Sequence, residues 1–213
     1  MEIVKISSED DFFPAIQKAI AVLRLGGVIV YPTDTLYALG GNAMEPQSVE
    51  RVFRIKKRER EKPLPIAVRN IKWAKELSFI YQKEERFLNK VWPGPTTVVL
   101  PKRNVVPDIL TAAKPSVAMR IPDHQFVENL LAKFGYPVTS TSATVSGVSP
   151  SRKISDIIGL FEKAEYQPNL VIDAGDLPES EPSTVVDLVS GQPKILRVDP
   201  AKPKKLMKLL KLK

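Results

Sequence analysis

The sequence predicts one α/β domain, a twisted mixed sheet with flanking helices, and three observations carry that expectation. Short apolar runs of strand length alternate with segments of helical periodicity. The 213 residues with 43% hydrophobic content are enough for one sizeable core. Neither an internal repeat nor a long Gly/Ser linker divides the chain. The expected domain covers 1–200, followed by a lysine-rich tail at 201–213.

The elements follow in order. An apolar alternation at Ile3 to Ile6 reads as a strand. Ser8 with Asp11 three residues later resembles an N-cap signal. Phe12, Ile16, Ala19, Ile20 and Leu23 then recur at helical spacing until Gly26-Gly27. Val28 to Tyr31 reads as a buried strand, stopped by Pro32 ahead of the polar turn Thr33-Asp34-Thr35. Pro46 suits a first helical position, and Val49, Val52, Phe53 and Ile55 continue that helix. Further strand-length runs lie at Pro65 to Val68, Thr97 to Leu100, Val117 to Ile121, Pro137 to Thr139, Leu170 to Ile172, Thr184 to Val189 and Ile195 to Val198. Helical patterns at Ile71 to Leu77, Glu84 to Val91, Phe126 to Phe134 and Ile154 to Phe161 lie between several of them. In the tail, apolar residues from Leu206 to Leu212 make an amphipathic helix with lysines on its other face.

Composition narrows the function classes. Cysteine is absent, which excludes disulfides, thiolate metal sites and a cysteine nucleophile. The N-terminus carries acidic residues where a secretory signal places basic and then apolar ones. No apolar run approaches the roughly 20 residues of a membrane span, so a soluble, cytoplasmic protein with no membrane partner is expected. The 19 prolines are scattered and mark element boundaries. The net charge of +8 is concentrated in two places: Arg51 to Lys62 holds seven basic residues against Glu59 and Glu61, and Lys202 to Lys213 holds six lysines and no acid.

Several catalytic signatures are missing: no G-x-x-x-x-G-K-[ST], G-x-G-x-x-G, H-E-x-x-H or G-x-S-x-G occurs. The lone His124 cannot build a histidine metal site and is expected in the first turn of a helix. The chain offers instead hydroxyl-rich turns at strand ends, Thr33-Asp34-Thr35, Ser140-Thr141-Ser142 and Ser183-Thr184, together with Lys56, Arg58, Lys62, Arg120 and Arg197. Hydroxyls and backbone amides hold phosphate or carboxylate oxygens, Arg supplies a bidentate fork and Lys a movable point charge. The combination points to an anion-binding site.

Seven ordered blocks carry a more specific resemblance. They are Tyr31-Pro-Thr-Asp-Thr-Leu-Tyr-Ala-Leu-Gly40, Lys56-Lys57-Arg58 with Lys62-Pro63-Leu64, Trp92-Pro93-Gly94-Pro95-Thr96-Thr97, Ser116-Val-Ala-Met-Arg-Ile-Pro122, Ser140-Thr-Ser-Ala-Thr-Val-Ser-Gly147, Pro182-Ser-Thr-Val-Val-Asp187 and Ile195-Leu-Arg197. From about Gly26 to Arg197 the chain resembles the YrdC family of L-threonylcarbamoyladenylate synthases, of the short single-domain type. The resemblance implies a YrdC/RibB-like fold and an ATP-dependent nucleotidyltransferase. Such an enzyme makes L-threonylcarbamoyladenylate from L-threonine and bicarbonate with release of pyrophosphate, for threonylcarbamoyladenosine modification of tRNA.

The resemblance also implies residue roles. Thr33 or Thr35, Lys62, Arg120, Ser140 and Ser183 would line the L-threonine and bicarbonate side. Lys56, Arg58, Ser116, Ser142, Thr144, Ser149 and Arg197 would hold the nucleotide, with Lys56 and Arg58 as the catalytic cations. Mg²⁺ is expected with ATP, carried by its phosphates, and no dedicated metal-ligand cluster is visible. A downstream tRNA threonylcarbamoyl transferase, and tRNA or double-stranded RNA itself, are the implied macromolecular partners. One position departs from the family pattern: Thr144 stands where Asn is usual, and one hydroxyl replaces a carbonyl and an amide with two donors, so the local nucleotide contact must differ. The alternative reading is a YciO-like RNA-binding protein without synthase activity.

Overall fold

The computed structural model describes residues 1–7, 12–180, 182–191 and 193–197. The α/β class and mixed strand pairing hold, with the strands shared between two mixed sheets instead of lying in one. The first sheet has the order β1 (Glu2–Lys5), β9 (Leu170–Asp173), β2 (Ile29–Tyr31), β3 (Ala38–Gly40), β8 (Thr141–Ser142). The second has the order β11 (Lys194–Arg197), β10 (Thr184–Asp187), β5 (Thr96–Pro101), β6 (Ser116–Arg120), β4 (Ile66–Ala67), β7 (Val138–Thr139). Ser140 alone separates β7 from β8, so the chain passes from one sheet to the other at that residue. Tyr31 reinforces the junction by donating its hydroxyl proton to the Thr139 carbonyl at 3.0 Å.

Seven helices accompany the sheets among the described residues: α1 (Phe13–Arg24), α2 (Pro46–Lys56), α3 (Ile71–Leu77), α4 (Gln82–Val91), α5 (Asp108–Thr111), α6 (Gln125–Phe134) and α7 (Ile154–Glu162). The apolar stripe of α1, Ala15, Ile16, Ala19, Ile20 and Leu23, packs with Phe126, Leu130 and Phe134 of α6 against β2 and β9. Each such fully buried large side chain contributes about 1.5–3 kcal/mol. A second, larger core contains Val49, Val52 and Phe53 of α2 with Val98, Leu100, Val117 and Met119 of the second sheet. The Ser8 to Asp11 signal and the lysine-rich tail lie outside the described residues, as does Val198 of the last expected strand.

Alternation along the strands creates the site. On β5, Val98 and Leu100 face the core while Thr97 and Val99 face the opposite side. On β6, Val117 and Met119 face the core while Ala118 and Arg120 face away. The register pairs Val98 with Met119 and Val99 with Ala118, so the outward faces of both strands line up. On β3, Gly40 packs closely against β2: a Cβ there would meet Cε1 of Tyr31 at 2.6 Å, which leaves room only for glycine.

Candidate anion-binding cleft

A cleft of about 670 Å³ opens between the two sheets. Its walls come from β3, β8, the C-terminus of α2, the segments 58–65 and 144–150, and the outward faces of β5, β6, β10 and β11. Thr33, Thr35, Lys56, Arg58, Lys62, Arg120, Ser140, Ser142, Thr144, Ser183 and Arg197 all line this one cleft. Two expected residues do not. Ser116 starts β6 on the same face as Ala118 and Arg120, but beyond the lining, where it pairs with Pro101. Ser149 is exposed between Val148 and Pro150, which do line the cleft.

Lys56 arrives on the last turn of α2, and the helix stops because Lys57 turns to φ 48° in the left-handed region. Its ammonium gives all three protons to neutral oxygens: the Ser142 carbonyl at 2.7 Å, the Ser142 hydroxyl at 3.2 Å and the Thr144 carbonyl at 3.1 Å. Burial, aided by the positive charge of Arg58, pushes its pKa down to about 8. Arg58 turns back after the helix end and donates to the carbonyls of Lys62 and Pro63, both at 2.9 Å. Burial lowers its pKa as well, against the opposing pull of Glu59.

Thr33 organises the first turn. Its hydroxyl accepts the backbone N–H of Thr35 at 3.1 Å and of Leu36 at 3.2 Å, and donates to the Leu36 carbonyl at 2.6 Å. Thr35 is left to meet Arg120, whose Nη1 donates to the Thr35 hydroxyl at 2.7 Å. Arg120 also donates through Nε to the Gly94 carbonyl at 2.9 Å and through Nη2 to Asp34, a buried ion pair. A guanidinium has five N–H donors, so two remain for a ligand.

On the far wall, Arg197 donates twice to the Ser183 carbonyl, at 3.0 and 2.7 Å, and once to its hydroxyl at 3.2 Å. The Ser183 hydroxyl also meets that of Thr97 at 2.9 Å. Burial lowers the Arg197 pKa, and the nearby charge of Arg120 adds to the effect. Thr144 directs its hydroxyl into its own turn, toward the carbonyls of Val145 at 3.3 Å and Val148 at 3.1 Å. Lys62 is exposed and pairs with Glu59 at 3.0 Å. Among the described residues the lining holds five cations and no carboxylate; Asp34 and Glu59, which pair with Arg120 and Lys62, are not part of it. Thr97, Thr141 and Ser146 line the cleft and Asp34 bonds to Arg120, although sequence reasoning gave none of the four a ligand role of its own. Asp34 bonds to a residue 86 positions away, and its signal was its place between two hydroxyls in the first turn.

Among the described residues no group of three or more His, Cys, Asp or Glu could hold a metal ion. No helix among them is long and apolar enough to cross a membrane.

Fold and cleft together define a mixed α/β protein with a cationic, hydroxyl-lined cleft. Residues 21–198 match the Sua5/YciO/YrdC family, whose profile is described as telomere recombination, and the chain belongs to that family. It is similar to the threonylcarbamoyl-AMP synthase of Pyrococcus abyssi, 33% identical over 187 residues, covering 85% of this chain and 53% of that protein. The chain thus spans about half the length of that curated relative. Two solved structures superpose closely. Pyrococcus abyssi Sua5 complexed with L-threonine gives a TM-score of 0.91 at 29% identity, covering 98% of this chain and 61% of that one. Escherichia coli YciO gives 0.87 at 29% identity, covering 97% of this chain and 100% of that one.

Proposed function

We propose that this chain joins L-threonine, bicarbonate and ATP into L-threonylcarbamoyladenylate, the donor for threonylcarbamoyl modification of an adenosine in tRNA. The observation that carries the reading is a single cleft in which five cations and a set of small hydroxyls converge, with no carboxylate among the described residues of the lining. Its similarity to the Pyrococcus abyssi synthase, and to the Sua5 structure complexed with L-threonine, supports the same assignment.

In the proposed reaction the carboxylate of the threonine carbamate attacks the α-phosphate, a P–O bond to the carbamate forms, and the bond to the leaving pyrophosphate breaks. Two anions must approach each other, so catalysis consists of positioning and of cations that stabilise the developing charge. Lys56 is a fixed positive charge there because its protons are held by backbone and Ser142. Arg58 and Arg197 complete the phosphate side, and Arg120 with Thr35 forms the amino-acid side. Any Mg²⁺ would be carried by the triphosphate, because Mg²⁺ commonly binds through substrate phosphates. The product then passes to a tRNA threonylcarbamoyl transferase in the cytoplasm.

The test is pyrophosphate release with each substrate omitted in turn. Release that requires ATP, L-threonine and bicarbonate together supports the synthase, and Arg58→Ala should lower it at least a hundredfold. The turned-in hydroxyl of Thr144 and the likeness to YciO favour one second reading, an RNA-binding protein. Salt-sensitive RNA binding with no turnover would establish that one instead.

A further inference from the structure

Charge is distributed unevenly across the cleft. Lys56, Arg58 and Arg197 give their protons to carbonyl and hydroxyl oxygens, and among the described residues no carboxylate is bonded to any of the three. Arg120 is different: among the described residues, Asp34 is the one carboxylate bonded to a buried cation of the lining. The turn that presents Asp34 is locked by the Thr33 hydroxyl, and the Arg120 side chain is fixed at Nε by Gly94 and at Nη1 by Thr35. Asp34 is therefore in a rigid position on a rigid partner.

We propose that Asp34 is a positioning residue that acts through Arg120 and divides the cleft into two electrostatic halves. This rests on the reading of the cleft as a joint amino-acid and nucleotide site. By neutralising Arg120, Asp34 removes the net charge that would draw a phosphate to it. What Arg120 still offers is two directed N–H donors, one on each terminal nitrogen, which suit the single carboxylate of an α-amino acid. The polyanion is left with the half built from Lys56, Arg58 and Arg197, to which no described carboxylate is bonded. Without Asp34, Arg120 is left as a buried cation with no paired carboxylate, and the amino-acid half turns into a second phosphate site.

The test uses Asp34→Asn, which keeps the shape and one hydrogen-bond acceptor but removes the charge, with Asp34→Glu as the charge-retaining control. In steady-state pyrophosphate release, Asp34→Asn is expected to raise the KM for L-threonine at least tenfold, with the KM for ATP within twofold. Asp34→Glu should recover part of that loss. Parallel losses in both substrates, or an unchanged threonine KM, overturn the proposal. A titration of inorganic pyrophosphate alone needs no turnover and separates this idea from the synthase reading. One equivalent should bind the unaltered protein and two should bind Asp34→Asn. Equal stoichiometry overturns the division of the cleft, whereas absent turnover in the unaltered protein overturns only the synthase.

Discussion

Lys56 sits at the balance point between stability and function. Its folded pKa of about 8 lies below the ordinary lysine value of 10.5. As pH rises from 8 toward 10.5 the folded side chain gives up its proton before the unfolded one does. The unfolded state then binds more protons, and this group's contribution to stability grows with pH. Anion binding moves the opposite way, because the charge that attracts phosphate disappears in the same window. Affinity for pyrophosphate should therefore fall between pH 7 and pH 9.5 in the unaltered protein, and Lys56→Met should bind weakly with little pH dependence. Calorimetric titration across that range checks both. The sequence revealed Lys56 as one basic residue in a cluster of seven, but not that it alone of its helix would be buried among oxygens. That follows from contact with Ser142, 86 residues later.

Helix α6 shows how a rule about element ends can be right in place and wrong in detail. His124 was expected in the first turn and instead forms the N-cap, its Nδ1 accepting the backbone N–H of Phe126 at 3.2 Å. Only the neutral ring can accept there, and burial lowers its pKa from 6.5 despite the opposing fields of Asp34 and Asp123. As pH falls below 6.5 the unfolded histidine takes up a proton first, so stability drops on acidification. His124→Ala should cost about 1 kcal/mol. His124→Asn should retain the cap while removing this part of the acid sensitivity, and urea unfolding at pH 5 and pH 7.5 reads both effects. The long apolar patterns, such as Phe126 to Phe134 and Ile71 to Leu77, were legible because one buried stripe defines each. Three short elements were not: β3, β8 and α5. Ala38-Leu39-Gly40 is too short to show a periodicity, and becomes a strand because β2 and β8 pair with it on either side and Tyr31 packs against Gly40. The four residues of α5 are too few for any periodicity.

At the scale of the molecule, the partition into two sheets left no trace in local pattern, because it depends on partners far apart along the chain. Residues Glu2 and Leu170 pair in the first sheet, and Thr96 and Thr184 in the second. Residues for the cleft were nevertheless legible as a set, since hydroxyl-rich turns and cations recurred at strand ends, and their convergence shows which ends meet. The position of β9 between β1 and β2 has a consequence for biosynthesis. While the polypeptide emerges during translation, β1 and β2 wait without their shared partner until residues 170–173 have been made. A fragment ending at Glu165 should be digested as readily as unfolded chain in pulse proteolysis, whereas the full chain resists. The first sheet therefore cannot close until most of the polypeptide has been made, although β2 and β3 can already pair with each other.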